Sequence, residues 1–217
     1  MSASPSDFVR NNTRVERAPF VPEIRLHLAT EVTPLWQATA ASLEDVDIEP
    51  PFWAFAWPGG QALARYILDH PDTVAGRSVL DLASGSGIVA MAAAKAGART
   101  VTANDVDPLS LTAIGLNAGH NGVSLDTNCG DLTLAAPSDQ WEVILAGDVF
   151  YERTMATGIA TWLSLAAASG NLVLASDPGR AYVPRQGVTP IATYDVPTSL
   201  DLEDRQSRTT TIWRFDT

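Results

Sequence analysis

The run Val79-Leu80-Asp81-Leu82-Ala83-Ser84-Gly85-Ser86-Gly87 constrains the fold more than any other stretch of the chain. An apolar strand ends near an acid, turns through small residues and glycines, and enters an alanine-rich helix at Ile88. Such a turn lets a bound ligand lie against the backbone, because its residues carry no bulky side chains. The acid narrows the class of ligand. A dinucleotide puts its pyrophosphate on the helix N-terminus, where a carboxylate as close as Asp81 would repel it. A carboxylate there suits a ligand that carries positive charge.

From Ser78 onward, strand and helix patterns alternate. Strands are predicted at Ser78–Leu82, Thr100–Asn104, Thr127–Gly130, Trp141–Gly147 and Asn171–Ser176, and helices at Gly87–Ala96, Pro108–Gly119 and Arg153–Ala168. Pro108 suits a first helical position, and Gly97 and Gly119 suit helix ends. Beyond Pro178 two β-rich segments, Val188–Val196 and Thr209–Phe215, follow without an intervening helix. The pattern predicts an α/β fold: a Rossmann-like, doubly wound, seven-stranded sheet, mostly parallel and closed by a C-terminal antiparallel hairpin. Residues 1–50 read as an N-terminal extension, a substrate-recognition segment or lid with a helix around Leu35–Leu43, and 51–217 as the main domain. Between them lie Phe52, Trp53, Phe55 and Trp57, bounded by prolines and glycines, and a helix from about Gly60 to Asp69.

In an open α/β sheet the ligand sits beyond the carboxyl ends of the strands. The first strand end offers Asp81, Ala83, Gly85, Ser86 and Gly87. The second offers Asn104-Asp105-Val106-Asp107, where a carboxylate can accept from both hydroxyls of a ribose; Asp105 is better placed because Asp107 already leads into a helix. The third offers Asp131 and Leu132, an acceptor for an adenine amino group beside an apolar cover. Asp131 also reads as a helix N-cap. The fourth offers Gly147 and Asp148-Val149-Phe150-Tyr151-Glu152. The four ends in this order point to S-adenosylmethionine (SAM), whose amine and sulfonium suit Asp81, with S-adenosylhomocysteine as the product. Trp57 joins the cofactor-binding set, or packs beneath the N-terminal segment.

Composition excludes several classes. A formal charge of −11 leaves no basic stripe for phosphates, so no nucleic-acid partner is expected. The single cysteine, Cys129, rules out an internal disulfide. His27 and His120 read as exposed and His70 as a helix end, so no metal site is expected. No apolar run is long enough to span a bilayer, so no membrane partner is expected either. The first 20 residues lack the apolar core of a secretory signal, and the expected location is the cytoplasm.

The fourth strand end bears on the methyl acceptor. Enzymes acting on adenine or glutamine amines carry prolines at this point, whereas Asp148-Val149-Phe150-Tyr151 has none. An acid with aromatics suits a lysine amine, which must be held, deprotonated and aimed. With an unperturbed pKa near ~10.4, deprotonation at pH 7.5 costs about 4 kcal/mol. Asp148 and Tyr151 are the candidate catalytic pair, and Trp53, Phe150 and Glu152 the candidate substrate contacts. Each has a plainer reading: Phe150 as core, Tyr151 as a helix-start residue packed on the sheet, Glu152 as a first-turn helix acid.

The strand-end residues resemble the seven-β-strand SAM-dependent methyltransferases, across roughly residues 55–217. Those families commonly carry glycine where this chain has Ala83. The segments Phe52–Gly60, Asp148–Glu152 and Ser176-Asp177-Pro178-Gly179-Arg180, with Pro22–Leu28, are similar to the electron-transfer flavoprotein β-subunit lysine methyltransferases. The resemblance implies methyl transfer from SAM to lysines of that flavoprotein subunit. The animal members are mitochondrial, and this chain reads as a bacterial member; a eukaryotic one would work in the mitochondrial matrix. From the residues alone, a small-molecule N-methyltransferase acting on a nicotinamide-like amine and a catalytically silent SAM-binding protein remain alternatives.

Overall fold

The structure, a computed structural model, describes residues 4–29, 51–198 and 206–217. Its main element is a seven-stranded sheet of order β5-β4-β3-β6-β7-β9-β8. The five parallel strands are β3 (Ser78–Leu82), β4 (Thr100–Asp105), β5 (Asp126–Cys129), β6 (Val143–Gly147) and β7 (Leu172–Asp177). The closing hairpin is β8 (Val188–Pro197) and β9 (Ser207–Phe215), with β9 inserted antiparallel between β7 and β8. The fold class expected from the sequence is the one observed. Strand order reverses between β3 and β6, the switch point at which such sheets bind ligands.

Side-chain alternation assigns the two faces. Val79, Val143, Leu145, Leu174 and Ile212 pack on one side with α2 (Pro58–Asp69) and α3 (Ile88–Lys95), together with Ile114 of α4 (Pro108–Asn121). Leu80, Leu82, Ile144, Ala146, Val173 and Ala175 point the opposite way, onto Trp162 and Leu163 of α5 (Arg153–Ala168). Apart from Ser78 and Asp81, both faces of β3 and β6 are therefore apolar. Each fully buried Leu or Ile contributes roughly 1.5–3 kcal/mol.

Helix starts follow local chemistry. Asp107 caps α4 by accepting from the Leu109 N–H at 2.8 Å, and Pro108 fills the first helical position. Glu152 caps α5 through the Thr154 and Met155 N–H groups at 2.9 and 2.7 Å. The end of α4 departs from expectation. The helix runs past Gly119, and Gly122, left-handed at φ 64°, terminates it.

The N-terminal region holds more structure than its sequence pattern declared. A helix, α1 (Pro5–Asn12), is followed by a hairpin of β1 (Arg14–Ala18) and β2 (Val21–Leu28). Ile24, Leu26 and Leu28 are buried in the same cluster as α2 and α3. His27, expected to be exposed, is 4% exposed. Its backbone N–H donates to Asn117 Oδ1 at 2.7 Å, and its ring meets Thr13 Oγ1 at 2.9 Å and His120 Nε2 at 3.2 Å. The backbone bond to α4 drives the ring inward. The helix expected around Leu35–Leu43 lies outside the described residues. Among the described residues no helix is long and apolar enough to cross a membrane, and no cluster of three or more His, Cys, Asp or Glu is set to hold a metal. Cys129 is exposed at the end of β5.

Candidate active site

A cleft of about 640 Å³ opens at the carboxyl ends of the parallel strands. Its walls include Ala83 and Gly85 after β3, Asp105 and Val106 at β4, Asp131 and Thr133 after β5, and Gly147, Asp148 and Tyr151 at β6. Phe52, Trp53, Trp57 and Arg180 complete it. A second concavity of about 730 Å³ lies at the other end of the strands, around Arg77, Trp141 and Glu142, and contains none of the candidate residues.

Asp81 does not face the cleft. It is 1% exposed, and one carboxylate oxygen accepts from Ser84 Oγ and from the Ala90 N–H (2.9 Å). Burial pushes its carboxyl up to about 7, against the opposing effect of those bonds from Ser84 and Ala90. The expected contact with a cationic ligand is corrected: Asp81 braces the turn onto α3. Ser86 and Gly87 are likewise buried away from the cleft, and a Cβ on Gly87 would sit 3.0 Å from both Ile114 and Met91. Gly87 serves packing between α3 and α4.

Ala83 and Gly85 do line the cleft, with φ at 53° and 54°. A non-glycine residue there carries a strain of roughly 1–2 kcal/mol. Nothing lies within 4 Å of where a Gly85 Cβ would point. Asp105 ties the turn to β4: its Oδ2 accepts from the Gly85 N–H at 2.8 Å and its Oδ1 from the Asp107 N–H at 3.0 Å. Asp131 lines the cleft while capping a short 3-10 turn through Thr133 at 2.8 Å, in line with its reading as an N-cap. Leu132 packs at the edge of the α5-side core and is not on the cleft wall.

At β6 the chain crosses α2 closely. A Cβ on Gly147 would lie 3.0 Å from the Gly60 backbone, and one on Gly59 would lie 2.5 Å from Asp148 Oδ2. Asp148, left-handed at φ 57°, uses that oxygen to accept the Gly60 N–H at 2.7 Å. Its Oδ1 lies 3.6 Å from Arg180 Nη2. On the other side, Ser176 Oγ donates to Gly59 O at 2.7 Å. The start of α2 is thus held by the ends of β6 and β7.

The aromatic segment stands over this crossing. Trp57 Nε1 donates to Phe52 O at 2.9 Å, and Phe52 lies 5.3 Å from the half-exposed Tyr151 ring. Trp53 lines the cleft but is 1% exposed, and its Nε1 has no hydrogen-bond partner among the described residues. The candidate substrate contact at Phe150 is corrected: fully buried, it packs with the α5-side core. Glu152 reaches the cleft rim, but both its oxygens cap α5. Arg180 is a wall residue to which the sequence reading had given no role. Its backbone N–H bonds Asp177 Oδ1 at 2.6 Å, and its guanidinium lies 6.0 Å from the Trp57 ring centroid.

The family model of ribosomal protein L11 methyltransferase matches residues 61–148, the segment from α2 to Asp148. Similarity to one set of relatives spans nearly the whole chain. The electron transfer flavoprotein beta subunit lysine methyltransferase of Danio rerio is 36% identical over 216 residues, 97% of this chain and 83% of its own length. That of Xenopus laevis is 37% identical over 98% of this chain and 87% of its own. The chain belongs to this lysine methyltransferase family. Among solved structures, a ribosomal protein L11 methylase from Lactobacillus delbrueckii subsp. bulgaricus shares the fold, with a TM-score of 0.52 and 18% identity over 79% of this chain and 92% of that one. So does an RNA methyltransferase from Salinibacter ruber in complex with S-adenosylhomocysteine, at 0.52 and 18% over 75% and 94%.

As a lysine methyltransferase family member the protein is a SAM-dependent methyltransferase. The cleft fits that cofactor. Its volume is in the range that encloses a ligand of this size. The open space above Gly85, the carboxylates of Asp105 and Asp131 and the apolar side chains of Leu82 and Val106 match a nucleoside with a charged tail.

Proposed function

We propose that this methyltransferase modifies lysine side chains of the electron transfer flavoprotein β subunit. The observation that carries the reading is the 36–37% identity over nearly the full chain to enzymes named for that substrate. Bound SAM supplies a methyl group on a sulfonium. Asp105 takes the ribose hydroxyls, Asp131 the adenine amine, and Ala83 and Gly85 leave room along the backbone. Tyr151, Phe52 and Trp57 form an apolar wall for the methylene stem of a lysine. Asp148, whose Oδ2 accepts from the Gly60 N–H and whose Oδ1 lies 3.6 Å from Arg180 Nη2, stands beside the amine and fixes its line of attack. The displaced proton leaves to solvent. Catalysis in this reading is positioning and desolvation, without a covalent enzyme intermediate.

The test is mass spectrometry of purified flavoprotein β subunit after incubation with the enzyme and SAM. Methylated lysines on the subunit are the expected result, and Asp148→Asn should slow their appearance ~10²-fold while SAM still binds. An unmodified subunit, with radiolabel from SAM entering small molecules of a lysate instead, would favour the small-molecule reading. Label in neither fraction would make this chain a silent SAM binder.

A further inference from the structure

Arg180 sits at the cleft beside the group that meets the amine. Its Nη2 is 3.6 Å from Asp148 Oδ1, its guanidinium faces Trp57 at 6.0 Å, and its side chain is 26% exposed against 10% for Asp148. The position is built. The Asp177 carboxylate holds the Arg180 backbone N–H, and β7, which carries Asp177, pairs directly with β6, which leads into Asp148.

The chemistry gives this arrangement a purpose. A methyl acceptor must present a lone pair, so the amine has to be unprotonated. A carboxylate facing it with nothing to offset its charge favours the ammonium form and raises the cost of reaching the reactive one. A fixed cation on the same carboxylate cancels that effect while leaving the oxygen able to accept a hydrogen bond. We propose that Arg180 is a positioning residue that neutralises Asp148, so that the pair offers the lysine amine an acceptor without net negative charge and keeps its unprotonated form accessible near neutral pH. The inference rests on the lysine-methylation reading above. The guanidinium suits the task because its planar fork can hold a carboxylate while its carbon lies 6.0 Å from the Trp57 ring centroid.

The experiment is single-turnover methylation of the purified flavoprotein β subunit at saturating SAM, from about pH 6.5 to 10. Wild type, Arg180→Gln and Arg180→Lys are compared, with SAM affinity of each measured by calorimetry. Arg180→Gln should move the acid limb of the rate profile upward by about one pH unit, which reads as a ~10-fold slower reaction near pH 7 that recovers toward pH 10. Arg180→Lys should return the limb toward its original place, and SAM affinity should be unchanged in both. A profile that overlays wild type, a loss equal at every pH, or a shift that lysine does not reverse overturns the inference. So does loss of SAM binding by Arg180→Gln. Wild-type enzyme that leaves the subunit unmodified overturns the substrate reading and this inference with it, whereas an active wild type with an unshifted Arg180→Gln overturns this inference alone.

Discussion

Gly59→Ala should disable methyl transfer without touching the cofactor. The added Cβ would stand 2.5 Å from Asp148 Oδ2, 2.7 Å from its Cγ and 2.9 Å from its backbone nitrogen. Ordinary contact begins at 3.4 Å, so the carboxylate must recede by about 0.9 Å, the difference between those two distances. Rotating the side chain does not clear the backbone nitrogen, so the loop moves with it. A displacement of ~1 Å in a positioning group costs on the order of 10² in rate. Overpacking of this kind destabilises by roughly 1–3 kcal/mol, although alanine in a helix would otherwise gain up to about 1 kcal/mol over glycine. The assay is single-turnover methylation at saturating SAM, alongside calorimetric SAM affinity and a urea melt. Gly115→Ala is the control, since nothing lies within 4 Å of its Cβ position in α4; it should hold the rate and add stability. A Gly59→Ala protein that transfers methyl groups at the wild-type rate would refute the geometry, and so would one that loses SAM.

Asp105→Ala should weaken SAM binding by about 1.5–3 kcal/mol for each charge-assisted bond lost, while Asp107→Ala, which removes the α4 cap, should weaken it less; equal affinities in calorimetry would remove the ribose assignment. Asp81 titrates near 7 in the folded protein, above the usual 3.8, so its contribution to stability is full below about pH 4 and is lost as the pH rises through 7. Asp81→Asn keeps an acceptor for Ser84 and Ala90, so its stability relative to wild type should climb between pH 4 and 8, and parallel urea-derived curves would contradict this. Burial, then the charges of His120 and Arg10, hold His27 below its usual 6.5, so its contribution is present above that pH and is lost as the pH falls through the lowered value. Amide exchange across β1 and β2 should therefore show less protection at pH 5 than at pH 7, and unchanged protection would count against it.

The central elements were legible because their signals are local and redundant. Ser78–Leu82 is a short apolar run set between turns, and Arg153–Ala168 carries both a capping acid and a long apolar stripe; both bounds agree with the structure. The N-terminal hairpin was not legible. Val21–Leu28 buries Leu26, His27 and Leu28 in succession, because one face meets α2 and α3 while His27 is drawn onto α4, and no two-residue period survives that. At the site, the strand ends do line the cleft, but direction failed at Phe150. A left-handed Asp148 turns the chain so that the next two side chains enter the core and only Tyr151 emerges. Asp81 failed for a related reason: a strand-end acid can point along either face, and here it points at the start of α3. Arg180 lies far from Asp148 in the chain, and only the pairing of β6 with β7 brings them together.

The crossing of α2 over the ends of β6 and β7 limits how such an enzyme can be recombined. Gly59, Gly60, Gly147, Asp148 and Ser176 meet through backbone contacts and bonds that tolerate almost no change in spacing. A chimera that takes the aromatic segment and α2 from one homologue and β6 to Arg180 from another would inherit two halves of a joint cut to different measures. Exchange breakpoints inside 61–146 separate those halves, whereas moving 51–70 and 140–180 as a pair keeps them matched. Substrate range should therefore transfer between relatives as this two-part cassette, and not by grafting either segment alone.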